Sequence, residues 1–326
     1  MNHLLLVAQQ NVASVADWRP AWVVALLLFF SLVGFAYGTR AGIIARATTK
    51  EAIRQPLFVL LLLISATVLL VNTFMPFFTL EDDVKMLKEC GLATLLIAGA
   101  LLAVWTAGTS ITSEIEGKTA MTLLSKPINR RQFVLGKYIG IIQGVLWLFA
   151  PLALLFTLLV YYKVGYDQRE MSQEIAPLFE WAKTSSGFEY PWPESYRLSV
   201  VTQVLPGIVL TLFQVSVLAA ISVAIATRLP MVVNLVACFA VFVIGNLTPM
   251  MVSQGDRVIK NEAVTFTARL IATILPSLES FNISAAIATG RAVQPSYLGY
   301  TLLYGVAYSA AIILVAFILF EDRDLA

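Results

Sequence analysis

One short pattern in the sequence resembles a nucleotide-binding site: Gly117-Lys118-Thr119. It matches the end of the phosphate-binding loop G-x-x-x-x-G-K-[ST], in which backbone N–H groups and the lysine hold phosphates. That loop also needs an earlier glycine, and Thr112 occupies its position. It needs a preceding β-strand as well, whereas a long apolar run precedes Gly117. We therefore predict that this chain binds no nucleotide.

Other residues that commonly carry chemistry are scarce. The only histidine is His3, and the only cysteines are Cys90 and Cys238, far apart in the chain. This leaves no zinc or disulfide framework and no arrangement of nucleophile and base. A net charge of +2 is too small to indicate nucleic acid as a partner. We predict a chain that is not an enzyme and holds no metal or cofactor of its own.

Long apolar runs dominate the sequence. It is 59% hydrophobic and 13% charged, with a mean hydropathy of +0.81, whereas soluble domains carry about 25% charged residues. About 20 apolar residues form a helix long enough to cross a bilayer. The predicted fold is an all-α integral membrane protein, a polytopic helical bundle with candidate spans at 22–38, 57–78, 91–111, 138–162, 201–227, 231–253 and 298–320.

None of these runs contains a charged residue or histidine. Ion-coupled transporters usually need such groups inside the membrane, so their absence argues against that class. The polar residues that remain are amides and hydroxyls. They form either hydrogen bonds between helices or a weakly polar substrate path. The amide residues are Asn72, Gln143, Gln203, Gln214, Asn234 and Asn246.

The loops indicate an orientation. Basic residues are denser in 39–56, 112–137, 228–230 and 321–326, whereas the short loop 79–90 is net acidic. Because basic residues concentrate in cytoplasmic loops, the first set is predicted to lie in the cytoplasm together with the C-terminus. The protein would then be a multi-pass protein of the cell (inner) membrane.

A short basic helix is predicted before the second run. Thr48 and Glu51 have the spacing of a capping box, and Pro56 ends or kinks the helix. Three basic residues fall near one face. These residues are Arg46, Lys50 and Arg54. They fit either an elbow helix that lies on the membrane surface or ordinary snorkelling at the entrance of a span.

The segment 112–137 is longer than a plain connection between spans requires. Ser113 with Glu116 predicts a first capping box, and Asn129 with Gln132 predicts a second. Pro127 disfavours helix at the residue before it. Between the two boxes an apolar stripe with helical spacing predicts a short amphipathic helix that needs a partner; the stripe comprises Gly117, Ala120, Met121 and Leu124.

This segment resembles the signature loop of ABC-transporter permeases of the type-2 (ABC-2) exporter family. The matching residues are Glu114, Glu116, Thr119, Leu123, Leu124, Pro127, Arg130, Phe133, Gly136 and Lys137. The ending Phe320–Leu325 is also similar to that family's ending. The resemblance covers about residues 40–326 and implies a six-span permease core at 48–326, with 1–47 carrying one extra span.

The resemblance implies a partner ABC ATPase that uses ATP and Mg²⁺, a second permease copy or paralogue, and a coupling helix within 112–137. The residues at the ATPase interface would be Glu114, Glu116, Gly117, Thr119, Ala120, Met121, Leu123, Leu124, Pro127 and Arg130. Two alternatives stay open: a non-transporting membrane anchor that regulates a partner complex, and a channel or secondary transporter.

Two further loops are predicted to lie outside. Residues 164–198 carry aromatic side chains that are typical of interfacial anchors, with a gate or an accessory-protein site as the alternative. In the family that this chain resembles, a segment such as 254–297 can dip back into the membrane.

Overall fold

The computed structural model describes residues 34, 38–74, 83–116, 129–170, 177–183, 189–258, 275–290 and 293–321. The helices are α1 (Arg40–Arg54), α2 (Pro56–Phe74), α3 (Asp83–Ala107), α4 (Arg130–Glu170), α5 (Ser195–Thr202), α6 (Leu205–Ala226), α7 (Met231–Val258), α8 (Ser284–Ala288) and α9 (Pro295–Glu321). A π-helical turn, Gly108–Thr112, and a last turn, Ser113–Glu116, continue α3. Strands β1 (Phe179–Lys183) and β2 (Glu189–Pro193) form an antiparallel hairpin.

Five helical stretches are long and apolar enough to cross a membrane: Pro56–Phe74, Asp83–Thr112, Arg130–Asp167, Ser195–Ala226 and Pro295–Glu321. They confirm the all-α, multi-pass fold and coincide with the predicted spans 57–78, 91–111, 138–162, 201–227 and 298–320. The predicted span 231–253 falls on α7, whose apolar part Met231–Leu247 is about 25 Å long. The extra span 22–38 lies almost wholly outside the described residues, and the division at 47/48 stays a prediction.

The bundle is built around α6. In the stretch Ser195–Ala226, which joins α5 and α6, 67% of the most apolar window is buried, against 22% in α2 and in α9. The apolar residues that α2 and α9 leave exposed are typical of surfaces in contact with lipid or with another membrane subunit. Helix α6 is therefore the central element, and α2 and α9 lie at the periphery.

The bundle has two ends, which contacts between distant segments define. At the Lys137 end, Lys137 contacts Ser110, and Arg228 contacts the last turn of α9. At the hairpin end, the Tyr161 hydroxyl donates to the Leu178 carbonyl beside the hairpin. Below we use these two names for the ends of the bundle.

Helix α1 packs against α4 through small residues. Its buried face comprises Ala41, Gly42, Ala45, Thr48, Thr49 and Ala52. A Cβ atom added to Gly136 would lie 2.6 Å from the Ala41 carbonyl oxygen, and one added to Gly140 would lie 2.6 Å from that of Ala45. Glycine at these two positions therefore allows the two backbones to approach closely.

The predicted start of this helix at Thr48 is wrong. Helix α1 begins at Arg40, and Thr39 caps it by accepting a hydrogen bond from the Gly42 N–H at 3.0 Å. Thr48 lies in the middle of the helix, where an intrahelical carbonyl already accepts from each N–H, so no capping box can form there. The predicted end before Pro56 is confirmed.

The predicted first capping box of segment 112–137 is also wrong. Ser113 has helical dihedral angles of φ −63° and ψ −36°, and its hydroxyl donates back to the Thr109 carbonyl. An N-cap needs a non-helical backbone, but the helical path from α3 continues through the π turn to Glu116. The second box is confirmed in part, because the Asn129 N–H donates to Gln132 Oε1 at 3.3 Å and α4 begins at Arg130.

Buried charges lie at the hairpin end, just beyond the charge-free runs. Lys163 donates to Asp83 at 2.9 Å, and both side chains are nearly inaccessible. Lys88 donates to the Gln203 side chain and to the Ile287 carbonyl, each at 3.3 Å. The Ile287 contact ties α3 to α8.

The two loops that are predicted to lie outside contain helical and strand elements. Leu278, Phe281 and Ile287, from the predicted dipping segment, are buried against the bundle. Residues 164–198 include the end of α4 and the hairpin, where Phe179 and Trp181 are exposed. An interfacial anchoring role for these aromatics stays a prediction, and the predicted helix before Pro276 lies outside the described residues.

Candidate coupling site

Among the described residues at the Lys137 end, the most deeply buried charge is that of Lys137, in the second turn of α4. It is only 2% exposed. Its Nζ donates to Glu114 Oε1 at 2.6 Å and to Ser110 Oγ at 2.6 Å. It also lies 3.8 Å from Glu51 Oε2. A buried cation is costly unless it is paired and hydrogen-bonded, and these neighbours meet that requirement.

Glu51 connects the same cluster to α1. Ser110 Oγ donates to Glu51 Oε2 at 2.8 Å while it accepts from Lys137. Lys137, Ser110, Glu51 and Glu114 together form what we call the Lys137 network. It joins α1, the π turn, the last turn before residue 117 and the start of α4, so four segments share one set of charge-assisted hydrogen bonds.

The π turn lies at the centre of the network. Such turns are rare and frequently occur at functional sites. Gln55 Nε2, between α1 and α2, donates to Thr109 Oγ1 at 3.1 Å. A Cβ atom added to Gly108 would lie 3.0 Å from the Met231 side chain of α7. The turn therefore contacts both the α1–α2 junction and the start of α7.

The far end of segment 112–137 is tied to α9. Arg130 Nη1 donates to the carbonyl oxygens of Phe320 and Glu321, at 3.3 and 2.7 Å. Arg228 Nε donates to the Leu319 carbonyl at 2.7 Å. Cations near a helix C-terminus satisfy its last carbonyls and interact favourably with the helix dipole. Arg130 and Arg228 therefore hold the C-terminal end of α9 against α4 and α6.

The structure places only part of the predicted ATPase interface. Glu114 belongs to the Lys137 network and Arg130 binds the end of α9. Glu116 lies in the last helical turn before residue 117. The remaining predicted interface residues lie outside the described part of the chain: Gly117, Thr119, Ala120, Met121, Leu123, Leu124 and Pro127.

The predicted elbow residues lie on α1 beside its buried face. Arg46 is half-buried, whereas Lys50 and Arg54 are exposed. Their contact with a membrane surface stays a prediction. Sequence reasoning missed the roles of Glu51 and Ser110. The sequence predicts only a capping box at Glu51, and Ser110 lies in a charge-free run where no pattern distinguishes it.

The family comparison gives a match over residues 70–325 to the ABC-2 family transporter protein model. This range contains the π turn, Lys137, Arg130 and the end of α9. The chain belongs to the ABC-2 family. The predicted family resemblance is thereby confirmed. No curated protein matches the chain.

ABC-2 permeases are transmembrane subunits of ABC transporters. They generally lack an ATPase site and work with an ABC ATPase, usually in a dimeric assembly. Glu114 of the Lys137 network and Arg130 lie on either side of residues 117–128, within the segment that is predicted to contact the ATPase. They anchor this segment of the permease to α1, α3, α4 and α9.

Proposed function

We propose that this chain is the membrane-spanning permease subunit of an ATP-driven exporter and is coupled to a separately encoded ATPase through residues 112–137. The ATPase holds ATP and Mg²⁺, and this chain binds neither. The Lys137 network supports the proposal most strongly. Through the one buried cation of Lys137, it connects the start of the coupling segment to α1, α3 and α4.

The same contacts suggest how movement is transmitted. A push on the coupling segment reaches α3 through the last turn at Ser113–Glu116, and it reaches α4 through the 2.6 Å contact between Glu114 and Lys137. Interiors and buried polar networks are stiff, so a displacement at one end shifts the helices instead of being absorbed locally. The Arg130 contacts pass the same displacement to α9.

A second permease copy or a paralogue completes the proposed assembly. The Lys137 end, with the C-terminus, lies in the cytoplasm, and the protein lies in the cell (inner) membrane. Arg46, Lys50 and Arg54 of α1 then lie at the level of anionic lipid headgroups, which attract basic side chains.

The ATPase assay tests the proposal directly. The purified chain alone is expected to hydrolyse no ATP. When it is reconstituted in lipid with its cognate ATPase, it is expected to copurify with that ATPase and to change its turnover. The control is the ATPase in empty lipid. ATP hydrolysis by the isolated chain, or the absence of any effect on the ATPase, contradicts the proposal. A change in turnover without transport of any cargo supports the non-transporting anchor instead.

The orientation has its own test, in a background that lacks Cys90 and Cys238. Arg131 and Ser195 are exposed positions at opposite ends of the bundle. A membrane-impermeant thiol reagent is expected to label Ser195→Cys in intact cells, and to label Arg131→Cys only after permeabilisation. The reverse pattern places the Lys137 end outside and excludes a cytoplasmic ATPase at this site.

A further inference from the structure

A small polar cavity lies between α3, α6, α7 and the segment that contains α8. Its volume is about 100 Å³. The polar side chains that line it are Glu89, Thr211, Gln214, Asn246, Asn282 and Ser284. Sites for whole small molecules are about 300–1,000 Å³, so this cavity has room for one end group of a ligand.

A chain of amide hydrogen bonds uses the Gln214 side-chain nitrogen and leaves its side-chain oxygen without a partner. Asn246 Nδ2 donates to the Phe242 carbonyl at 2.8 Å, which leaves Asn246 Oδ1 to accept from Gln214 Nε2 at 3.3 Å. Gln214 Oε1 is then left as an acceptor without a donor among the described residues. Gln214 is only 3% exposed, and an unpaired acceptor so deep in the bundle calls for a ligand or water.

Glu89 adds a negative charge to the same cavity. It is half-buried and has no ion-pair partner within the part of the chain that the structure describes. The adjacent Lys88 is bonded elsewhere, to Gln203 and Ile287. A half-buried carboxylate without an ion-pair partner favours a cation nearby.

The hydroxyl groups that line the cavity already donate their protons to other groups of the protein. Thr211 donates to the Gly207 carbonyl at 2.8 Å, and Ser284 donates to Asn282 Oδ1 at 2.7 Å. What these hydroxyls still offer is lone pairs. The donors without an acceptor among the described residues are the Asn282 amide and the second N–H of the Gln214 and Asn246 amides. The cavity therefore offers one carboxylate and neutral oxygen acceptors, alongside the remaining amide N–H groups.

We infer that this cavity binds a primary ammonium group at one end of the transported molecule. An ammonium group has three donors and no acceptor, which complements Glu89, Gln214 Oε1 and Thr211 Oγ1. Leu92, Leu96 and Phe281 line the same cavity and suit an apolar body attached to the amine. The inference rests on the proposed function only where it calls the ligand cargo.

Thermal unfolding of the full-length chain without any ATPase tests the inference. n-Butylamine, protonated at neutral pH, is expected to raise the unfolding temperature of the wild type in a saturable manner, whereas n-butanol is not. Glu89→Gln removes a charge-assisted bond and is expected to weaken the apparent affinity about tenfold to a hundredfold. Thr211→Val, which leaves the amide chain intact, is expected to weaken it less.

Glu180→Gln, on the exposed hairpin, is the matched control and is expected to bind butylamine as the wild type does. No saturable shift in the wild type, or an equal shift in the wild type and Glu89→Gln, overturns the inference. Because no ATPase is present, that failure leaves the proposed coupling untouched. Conversely, a failed ATPase assay leaves the amine site standing as a binding site.

Discussion

The double variant Glu51→Gln/Glu114→Gln is expected to unfold on the order of 5–10 °C below the wild type. It leaves Lys137 buried at 2% exposure, with Ser110 but without a carboxylate. Breaking a fully buried ion pair by removing one side costs about 3–5 kcal/mol, because the remaining charge is uncompensated. The lower end, about 3 kcal/mol, applies here, because the Glu114 and Glu51 side chains are 24% and 42% exposed. For a chain of this size each kcal/mol corresponds to about 2–4 °C or less. Thermal unfolding in detergent measures the shift.

A triple variant separates stability from coupling. Adding Lys137→Met to the double variant removes the uncompensated cation and is expected to restore most of the lost stability, because an apolar group of similar length fills the same space. Coupling is expected to stay defective, since the contact between Glu114 and Lys137 is gone. The effect of the reconstituted chain on ATPase turnover measures this second property.

The control for these variants is again Glu180→Gln, whose carboxylate is exposed on the hairpin and outside the network. It is expected to change neither the unfolding temperature nor the effect on the ATPase. If the triple variant couples as well as the wild type, the network stabilises the fold but does not transmit movement. If the double variant unfolds at the same temperature as the wild type, the two carboxylates are not needed to stabilise the buried Lys137.

Aspartate on the apolar stripe of the coupling segment is expected to weaken ATPase binding about a hundredfold. Met121→Asp or Leu124→Asp would place an unpaired carboxylate in the interface, at a cost of at least a few kcal/mol. Each 1.4 kcal/mol is a factor of ten in affinity. These positions lie outside the described residues, so the expectation rests on their helical spacing in the sequence. Pull-down titration with the cognate ATPase measures the loss.

Lys118→Asp and Ser125→Asp are the matched controls, because both residues lie largely off the stripe. They are expected to cost much less affinity, and membrane insertion is expected to be normal in all four variants. Equal recovery of the ATPase by all four variants and the wild type would mean that the stripe lies on the bilayer surface and contacts no ATPase.

Local sequence signals predicted helix ends correctly where the residues of one short segment are sufficient to end or begin a helix. Pro56 ends α1, and Asn129 with Gln132 marks the start of α4. The same kind of signal misled at Thr48 and Ser113. A capping box reports only that a helix could begin there, and in both places the chain was already helical.

Membrane spanning, the family and the start of α4 after Asn129 were determined by the sequence itself. Long charge-free runs have no other stable place than a bilayer core, where each backbone group must bond within its own helix. The tertiary structure alone decided which charges meet. Glu51 and Ser110 reach Lys137 from distant parts of the chain, and Arg130 reaches the end of α9. Such pairs depend on how helices pack, and the periodicity of one helix carries no information about which atoms of another will face it.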